Sequence, residues 1–374
     1  MLTHLDDTLL HQMPMPFDHA SSSDYRFFDR YWFSLFDTAG SVLVVSGMGL
    51  YKNMNVLDGF GCATHPSEGR QYNVRVSRQL QPDLATMGAG PLRYEVLEPL
   101  KRHRLVMGEN DRGLSFDLEW EAVSPPHEEG HHFLRRDGRV VQDYHRFDQM
   151  GRVSGWVRTG GQLYEASKET WVGVRDHSWG VRPGVGGVEV TTSAEAQGRP
   201  PGLFNWLCYH IGEESSYFAI WEEGDGSRVR LDSSIRLPEA SEDETHLRDV
   251  EHELEFYPGT RRVREARYRL THHDGRVSEI RVTRVVDPFT WVLKGYGYGG
   301  YKDGKGLGVY RGRLLVEGDT WDVSDPEVIR DEDGEEWTMP FREGPVRVEQ
   351  DGQVGFGHYA EHLVGPFPRY GFRD

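Results

Sequence analysis

Apolar and polar residues alternate along most of this chain with a period of two, which is typical of β-strands that bury one face. The segments with this pattern are 27–36, 41–50, 72–76, 114–123, 140–147, 153–158, 203–211, 217–222, 263–270, 278–286 and 308–317. Asp-Gly pairs at 137–138, 274–275 and 303–304 separate strand-like runs, as tight hairpin turns require. The pattern predicts antiparallel meanders in an almost all-β fold, with one short helix in the acidic segment 238–249.

The distribution of these strands predicts two structural units. A chain of 374 residues is longer than one compact core usually requires. Strand-rich halves lie on either side of residues 184–202, where we expect the boundary. We therefore predict an extended N-terminal arm (1–23), a first β unit (24–190) and a second β unit (191–374).

The composition of the chain disfavours several classes of binding partner. The chain has 43 Lys and Arg residues against 60 Asp and Glu residues, which gives a formal charge of −17. Such a charge repels nucleic acid and anionic membrane surfaces. Two cysteines give no disulfide framework, the first residues do not resemble a signal peptide, and no apolar run reaches the ~18 residues of a membrane span. We therefore expect a cytoplasmic protein with no nucleic-acid partner and no stable membrane insertion, whose exposed sheet edges would allow a homodimer.

The segment 175–182 reads RDHSWGVR and concentrates an acid, an imidazole, an indole and two guanidinium groups in eight residues. In a β-strand, His177 and Trp179 share one face, whereas Asp176 and Arg182 lie on the other. An imidazole beside an indole suits acid/base chemistry on a hydrophobic substrate. Alternatively, Asp176 and Arg182 form a local salt bridge and His177 is a structural residue of the core.

The run 147–155 (FDQMGRVSG), followed by Gly160, Tyr164 and the RDHSWGVR segment, resembles the two-domain lipocalin-like proteins of the AttH and carotenoid 1,2-hydratase type. The resemblance implies two lipocalin-like antiparallel β-barrels or strongly curved sheets that pack together, with a lipophilic pocket near their junction. It also implies roles in activity for His177 and Trp179, which match the His-x-Trp core of the hydratases.

The same resemblance leaves the proton donor open. In the hydratases, a tyrosine and an aspartate two residues apart follow the His-x-Trp core. The corresponding positions here are Phe204, Asn205 and Trp206, which provide neither an acid nor a phenol. Tyr209 or His210 would have to replace the donor, and carotenoid hydration by the same mechanism is not expected if the spacing is kept.

The candidate site residues follow from the motif and the resemblance. We assign catalysis to His177, Trp179 and Asp176. We assign substrate contact to aromatic side chains and one acid, namely Phe204, Trp206, Tyr209, Tyr296, Tyr298 and Glu361. Arg182 and Gln149 are assigned a structural role within the motif.

Three letter patterns resemble cofactor sites but lack the necessary context. HEEGH at 127–131 has zincin spacing, yet it follows two prolines, and we interpret it as a solvated loop. HYAEH at 358–362 leaves no room for a supporting helix, although its histidines would share a face of a strand and Glu361 and His362 would reach the junction pocket. GYGYGG at 295–300 has dinucleotide-fingerprint spacing, but an Asp-Gly turn follows instead of a helix. We therefore expect no metal and no cofactor.

Two functions remain open at this point. The first is a cofactor-independent hydratase, dehydratase or isomerase that acts by acid/base catalysis on a hydrophobic, isoprenoid-like or polycyclic small molecule. His177 would exchange the proton, and Trp179 would stabilise a carbocation through its π face. The second is a lipocalin-like carrier of the same kind of ligand, in which residues 176–182 act only as a structural clasp. The missing acid near Trp206 favours the carrier, whereas a buried imidazole favours the enzyme.

Overall fold

The chain forms an almost entirely β structure, as the alternation predicts. The computed structural model describes residues 2, 4–7, 9–11, 13–136, 138–187, 201–237, 244–286, 301–325, 327–338 and 342–374. Short 3-10 turns lie at His4–Asp7, Lys52–Met54, Pro66–Glu68 and Pro368–Tyr370. Within these described ranges, no helix has the length and apolar character needed to cross a membrane.

The strands of the first half, in chain order, are β1 (Phe27–Asp37), β2 (Leu43–Tyr51), β3 (Val56–His65), β4 (Arg70–Gln79), β5 (Gly88–Ala89), β6 (Leu92–Glu98), β7 (Arg102–Met107), β8 (Leu114–Ala122), β9 (His127–Glu128), β10 (His132–Arg136), β11 (Arg139–Thr159), β12 (Gln162–Ala166) and β13 (Trp171–Val181). Those of the second half are β14 (Gly202–Ile211), β15 (Glu214–Glu223), β16 (Arg228–Arg236), β17 (Leu247–Phe256), β18 (Val263–His272), β19 (Val277–Arg284), β20 (Leu314–Asp322), β21 (Ile329–Arg330), β22 (Glu336–Trp337), β23 (Arg342–Gln350) and β24 (Gln353–Val364).

These strands form two antiparallel sheets. The first has the order β22-β21-β20-β4-β3-β2-β1-β13-β11-β8-β7-β6-β5, and β9, β10 and β12 also pair with β11. The second has the order β16-β15-β14-β24-β23-β19-β18-β17. Most neighbours in each sheet are also neighbours in sequence, as expected for the predicted meanders, and the all-β lipocalin-like fold class is confirmed.

The two sheets do not follow the predicted division of the chain in its C-terminal part. Strands β20 to β22 belong to the first sheet, because β20 pairs with β4 along its whole length. Arg75 of β4 contributes to this pairing through its ion pairs with Glu317 and Asp319 on β20. The first sheet therefore draws strands from both predicted units, while the division at residue 190 stays a prediction.

Several predicted elements have different limits. The runs 140–147 and 153–158 are parts of one strand, β11, which continues through Gly151. The predicted strand 308–317 begins only at Leu314, because Gly308 and Gly312 adopt positive φ values of 75° and 92°, outside the strand region. The predicted helix 238–249 is wrong at its end, where β17 begins at Leu247, and residues 238–243 lie outside the described part of the chain.

Each sheet buries its own apolar core on one face. In the first sheet, Phe33, Leu118 and Trp120 belong to this core. In the second sheet, Leu207 and Tyr268 do. Each such side chain contributes on the order of 1.5–3 kcal/mol through removal from water.

The opposite faces of the two sheets pack against each other. Alternation turns Trp32 on β1 and Val174 on β13 away from the first core. These side chains share a third buried cluster with Trp206 and Cys208 of β14 and Tyr217 of β15. Every strand that contributes to this contact therefore has two buried faces, and the region between the sheets, called the junction below, is enclosed by both.

Gly151 gives a testable feature of the first core. A Cβ atom at this position would lie 2.3–2.6 Å from atoms of the Trp120 indole. We expect Gly151→Ala to lower the free energy of unfolding by about 1–3 kcal/mol, because a packed core accommodates extra volume poorly. Urea denaturation would measure the change. Gly108→Ala is the matched control, because its Cβ would meet no atom closer than 3.5 Å; an equal loss in both variants would contradict the account.

Candidate active site

Two rows of side chains face each other across the junction. On the first sheet, Asp176 of β13 lies between Trp32 of β1 and Asp148 of β11, its partners in the two ladders. On the second sheet, Cys208 of β14 lies between Tyr217 of β15 and His358 of β24. The rings of Trp32 and His358 are 5.1 Å apart, which brings the two rows into contact. With Glu129 and Trp206, described next, these side chains are called the junction site.

Glu129 is the most strongly held acid of this site. The residue follows β9 and is buried. Arg146 Nη2 donates to both carboxylate oxygens at 2.7 and 2.8 Å, and Trp206 Nε1 donates to Oε1 at 3.1 Å. His132 Nε2 lies 2.5 Å from Oε2. Burial alone would raise the pKa of Glu129, but the charge of Arg146 and the contact with His132 outweigh it and hold the carboxyl ionised.

The surroundings of Asp148 shift its pKa in the opposite direction to that of Glu129. Asp148 is fully buried on β11, and burial together with the negative charge of Glu129 raises its pKa well above the usual range. Neither carboxylate oxygen of Asp148 has a hydrogen-bond partner among the described residues, so no donor stabilises its ionised form. The surroundings therefore shift the pKa values of the two carboxyl groups in opposite directions, so that Asp148 favours the protonated form and Glu129 the ionised form.

Several buried polar atoms in and around this pair have no hydrogen-bond partner among the described residues. They are both carboxylate oxygens of Asp148, Trp32 Nε1, Asp176 Oδ1, Ser178 Oγ, Tyr217 OH and both ring nitrogens of His358. Buried polar atoms in folded proteins are nearly always hydrogen-bonded, so each unpaired atom requires an explanation. Water or a partly polar ligand between the two sheets would pair with these atoms.

Asp176 lies on the junction face of β13, opposite to His177. Burial raises its pKa, while attraction to Arg146, Arg30 and Arg182 opposes that rise without cancelling it. The Arg182 guanidinium lies 5.8 Å from the ring centres of both Phe28 and Tyr144. Asp176 is thus a third carboxyl group of the junction, partly buried, and the proposed clasp with Arg182 stays a prediction.

His177 and Trp179 share the other face of β13, as the alternation predicts. His177 Nε2 lies 2.7 Å from Asp29 Oδ1, and its ring is 4.4 Å from that of Tyr31. Trp179 is 38% exposed, and its ring lies 5.3 Å from that of His177. The imidazole and the indole therefore stand together, but the first sheet separates them from Asp148 and Asp176.

The structure divides the predicted substrate contacts. Trp206 belongs to the junction cluster, and Phe204 packs against it. Tyr209 points into the second core, because it is an odd number of residues from Trp206 on the same strand. Glu361 is also turned inward, where it accepts from Arg284 Nη2 at 2.8 Å and from the Val263 amide at 3.0 Å. The predicted contacts of Tyr209 and Glu361 with a junction ligand are therefore corrected.

The remaining predicted site residues are Gln149, Tyr296 and Tyr298. Gln149 Oε1 accepts from Arg175 Nη2 at 2.8 Å, while its amide nitrogen donates to the carbonyls of Leu100 and Ser124. This fits the predicted structural role of Gln149, which links β11 to β13 and to two loops. Tyr296 and Tyr298 lie outside the described residues.

From the sequence alone, the segment 127–131 was not assigned to the site. The interpretation as a solvated loop is wrong, because His127 is buried and contacts Ser234 Oγ at 2.9 Å and Ser215 Oγ at 3.0 Å. His127 and Glu129 are both buried while the residue between them is exposed, which is the pattern of a strand. The two prolines that precede them, Pro125 and its neighbour, favoured a loop interpretation instead. Across the described ranges, no group of three or more His, Cys, Asp or Glu side chains is arranged to hold a metal ion.

Comparison with known proteins places the chain in a family. The profile of a family of unknown function (DUF8625) matches residues 2–373. The chain belongs to this family. No curated protein matches the DUF8625 chain in sequence.

The solved structures that are similar to the DUF8625 chain include the following two. One is assigned to AttH, from Nitrosomonas europaea, with 14% identity, a TM-score of 0.53 and coverage of 96% of this chain and 99% of that chain. The other is kievitone hydratase from Nectria haematococca, with 10% identity, a TM-score of 0.50 and coverage of 90% and 89%. The AttH-type resemblance indicated by the sequence is confirmed at the level of the fold.

Proposed function

We propose that this protein is a cofactor-independent hydratase or dehydratase whose catalytic acid is Asp148 in the junction. The observation that carries the proposal is the carboxyl pair of Asp148 and Glu129, whose pKa values are displaced in opposite directions. A pair of titratable groups whose surroundings separate their pKa values is the usual basis of acid/base assignments in enzymes. The kievitone hydratase with the same fold is consistent with this type of reaction.

The hydration step balances with these groups alone. Asp148 transfers its proton to one carbon of an alkene, and the π electrons form the new C–H bond. The other carbon becomes a carbocation, and Asp148 becomes a carboxylate. Water adds to the cation, and the proton that it loses returns to Asp148. Dehydration of a tertiary alcohol follows the same path in reverse.

The surroundings of Asp148 suit a carbocation. Trp32 and Trp206 present aromatic rings to the junction, and each desolvated cation–π contact is worth about 2 kcal/mol. Glu129 forms an ion pair with Arg146 and accepts a hydrogen bond from Trp206 Nε1, so it holds the Trp206 indole in place at this wall. Because the side chains around the site are largely aromatic, we expect a predominantly apolar substrate that is isoprenoid-like or polycyclic.

Tyr217 supplies a second feature of the proposed site. Its hydroxyl is buried and has no hydrogen-bond partner among the residues that the structure describes, and burial together with the nearby charge of Glu129 and other carboxylates raises its pKa. The phenol therefore stays protonated and can orient the attacking water. Asp148 and Tyr217 thus provide the acid and the phenol that are absent from positions 204–206.

The position of His177 gives a test of this assignment. We expect His177→Ala to retain most of the wild-type conversion, because the first sheet separates His177 from Asp148. The assay incubates both proteins with isoprenoid alkenes and tertiary alcohols in ¹⁸O-labelled water and follows label in the products by mass spectrometry. Loss of conversion in His177→Ala, with folding intact, would move catalysis to the other face of the sheet. Retention of a compound without conversion by either protein would identify a carrier.

A further inference from the structure

A row of cationic and polar groups lies beside the acids of the junction site. Ser178 of β13 lies between Arg30 of β1 and Arg146 of β11, its partners in the two ladders. All three side chains point to the same face as Asp176 and Asp148, two residues further along each strand. Arg30 and Ser178 are buried, and Arg30 Nε, Arg146 Nε and Ser178 Oγ have no hydrogen-bond partner in the described part of the chain. These three residues are called the cationic row.

Arg30 carries a buried positive charge that no salt bridge within the described residues neutralises. Arg146, by contrast, is neutralised by Glu129. Arg30 and Arg182 repel each other, and burial together with this repulsion lowers the pKa of Arg182 to about 10. Asp176 attracts Arg30 without forming a salt bridge to it. A buried surplus cation is costly unless an anion compensates it.

We propose that the cationic row binds an anionic group of the substrate, a carboxylate or a phosphate, while the apolar part lies between Trp32 and Trp206. This inference rests on the proposed function, since it assigns the substrate class of the same site. Two residues along a strand span about 6.6 Å, so the anionic group lies roughly that far from the carbon that receives the proton of Asp148. The substrate is thus an amphipathic anion and not a neutral hydrocarbon.

Binding of three matched isoprenoids tests the proposal. Geranic acid, geranyl phosphate and geraniol share one apolar chain and differ in the head group. Isothermal titration calorimetry with the full chain measures their affinities at neutral pH. We expect wild type to bind at least one of the two anions on the order of tenfold more tightly than geraniol. The stronger of the two anions identifies the head group.

Two variants assign the preference to the row. Arg30→Gln is expected to abolish the preference for the anion while leaving the affinity for geraniol nearly unchanged. Arg104→Gln is the charge-matched control, because Arg104 forms a surface ion pair with Asp117 far from the junction, and it should keep the preference. Arg30→Lys, which keeps the charge, should retain part of it and replaces Arg30→Gln if that variant does not fold.

The outcomes separate this inference from the proposed function. Equal affinity of wild type for geranic acid, geranyl phosphate and geraniol overturns the inference, and so does a preference that Arg30→Gln retains. Neither result affects label incorporation from ¹⁸O-water, which tests hydration independently. Conversely, an Arg30-dependent preference supports the inference even if no compound is converted.

Discussion

Asp148→Asn is expected to lower the rate of hydration by about 10²–10⁴-fold, the usual contribution of a positioned general acid. Asn has nearly the same size and shape as Asp, so the packing of the junction is kept while the transferable proton is lost. Steady-state conversion of the best isoprenoid substrate in labelled water measures the effect. Asp117→Asn, which removes a carboxylate from the surface pair with Arg104, is the matched control and should retain full activity.

The pH dependence of the free energy of unfolding tests the same variant independently of its activity. The pKa of Asp148 is higher in the folded than in the unfolded chain, so its contribution to stability is complete below the unfolded pKa of about 3.9 and is lost as the pH rises toward the folded pKa. We therefore expect Asp148→Asn to gain stability relative to wild type as the pH rises from 4 to 7. Its activity and its stability would change in opposite directions. A variant that loses both equally would indicate a structural role for Asp148.

Glu129→Gln is expected to lower the free energy of unfolding by about 3–5 kcal/mol at neutral pH. It leaves Arg146 buried without its counter-charge, and removal of one member of a buried ion pair typically has this effect. Urea denaturation of wild type and variant measures the loss. Glu119→Gln, which affects only a partly exposed pair with Arg102, is the control and should change stability by less than about 1 kcal/mol.

The effect of Glu129 also has a defined pH range. Its pKa is lowered in the folded chain, so its stabilisation is complete above the unfolded pKa of about 4.3 and is lost as the pH falls toward the folded pKa. The difference between wild type and Glu129→Gln should therefore decrease on acidification below pH 5. A difference that stays constant down to pH 3 would contradict an ionised Glu129.

The fold was largely predictable from local pattern, because one buried face leaves a period-two signature in strands such as β18 and β19. The addition of β20 to the first sheet was not predictable, because it depends on long-range contacts such as that between Arg75 and Asp319. Residues 153–158 also could not be joined to the preceding run by periodicity alone, since Gly151 interrupts the pattern although the strand continues.

The candidate site was predictable only in part. The motif 175–182 identified the correct strand, and the alternation separated His177 from Asp176. Asp148 lay within the quoted run 147–155, but a single acid in a strand does not reveal its protonation state. That state depends on Glu129, which comes from a different segment and was assigned to a loop. A cluster built from three separate segments leaves no spacing signature in one sequence.

The protonation state of Asp148 is the central claim, and infrared difference spectroscopy of wild type against Asp148→Asn tests it most directly. A protonated carboxyl group has a carbonyl stretching band that an ionised carboxylate lacks. The account predicts that wild type at pH 7 shows this band and that Asp148→Asn loses it. Absence of the band from wild type at pH 7, with the protein folded, would mean that Asp148 is ionised and does not serve as the acid.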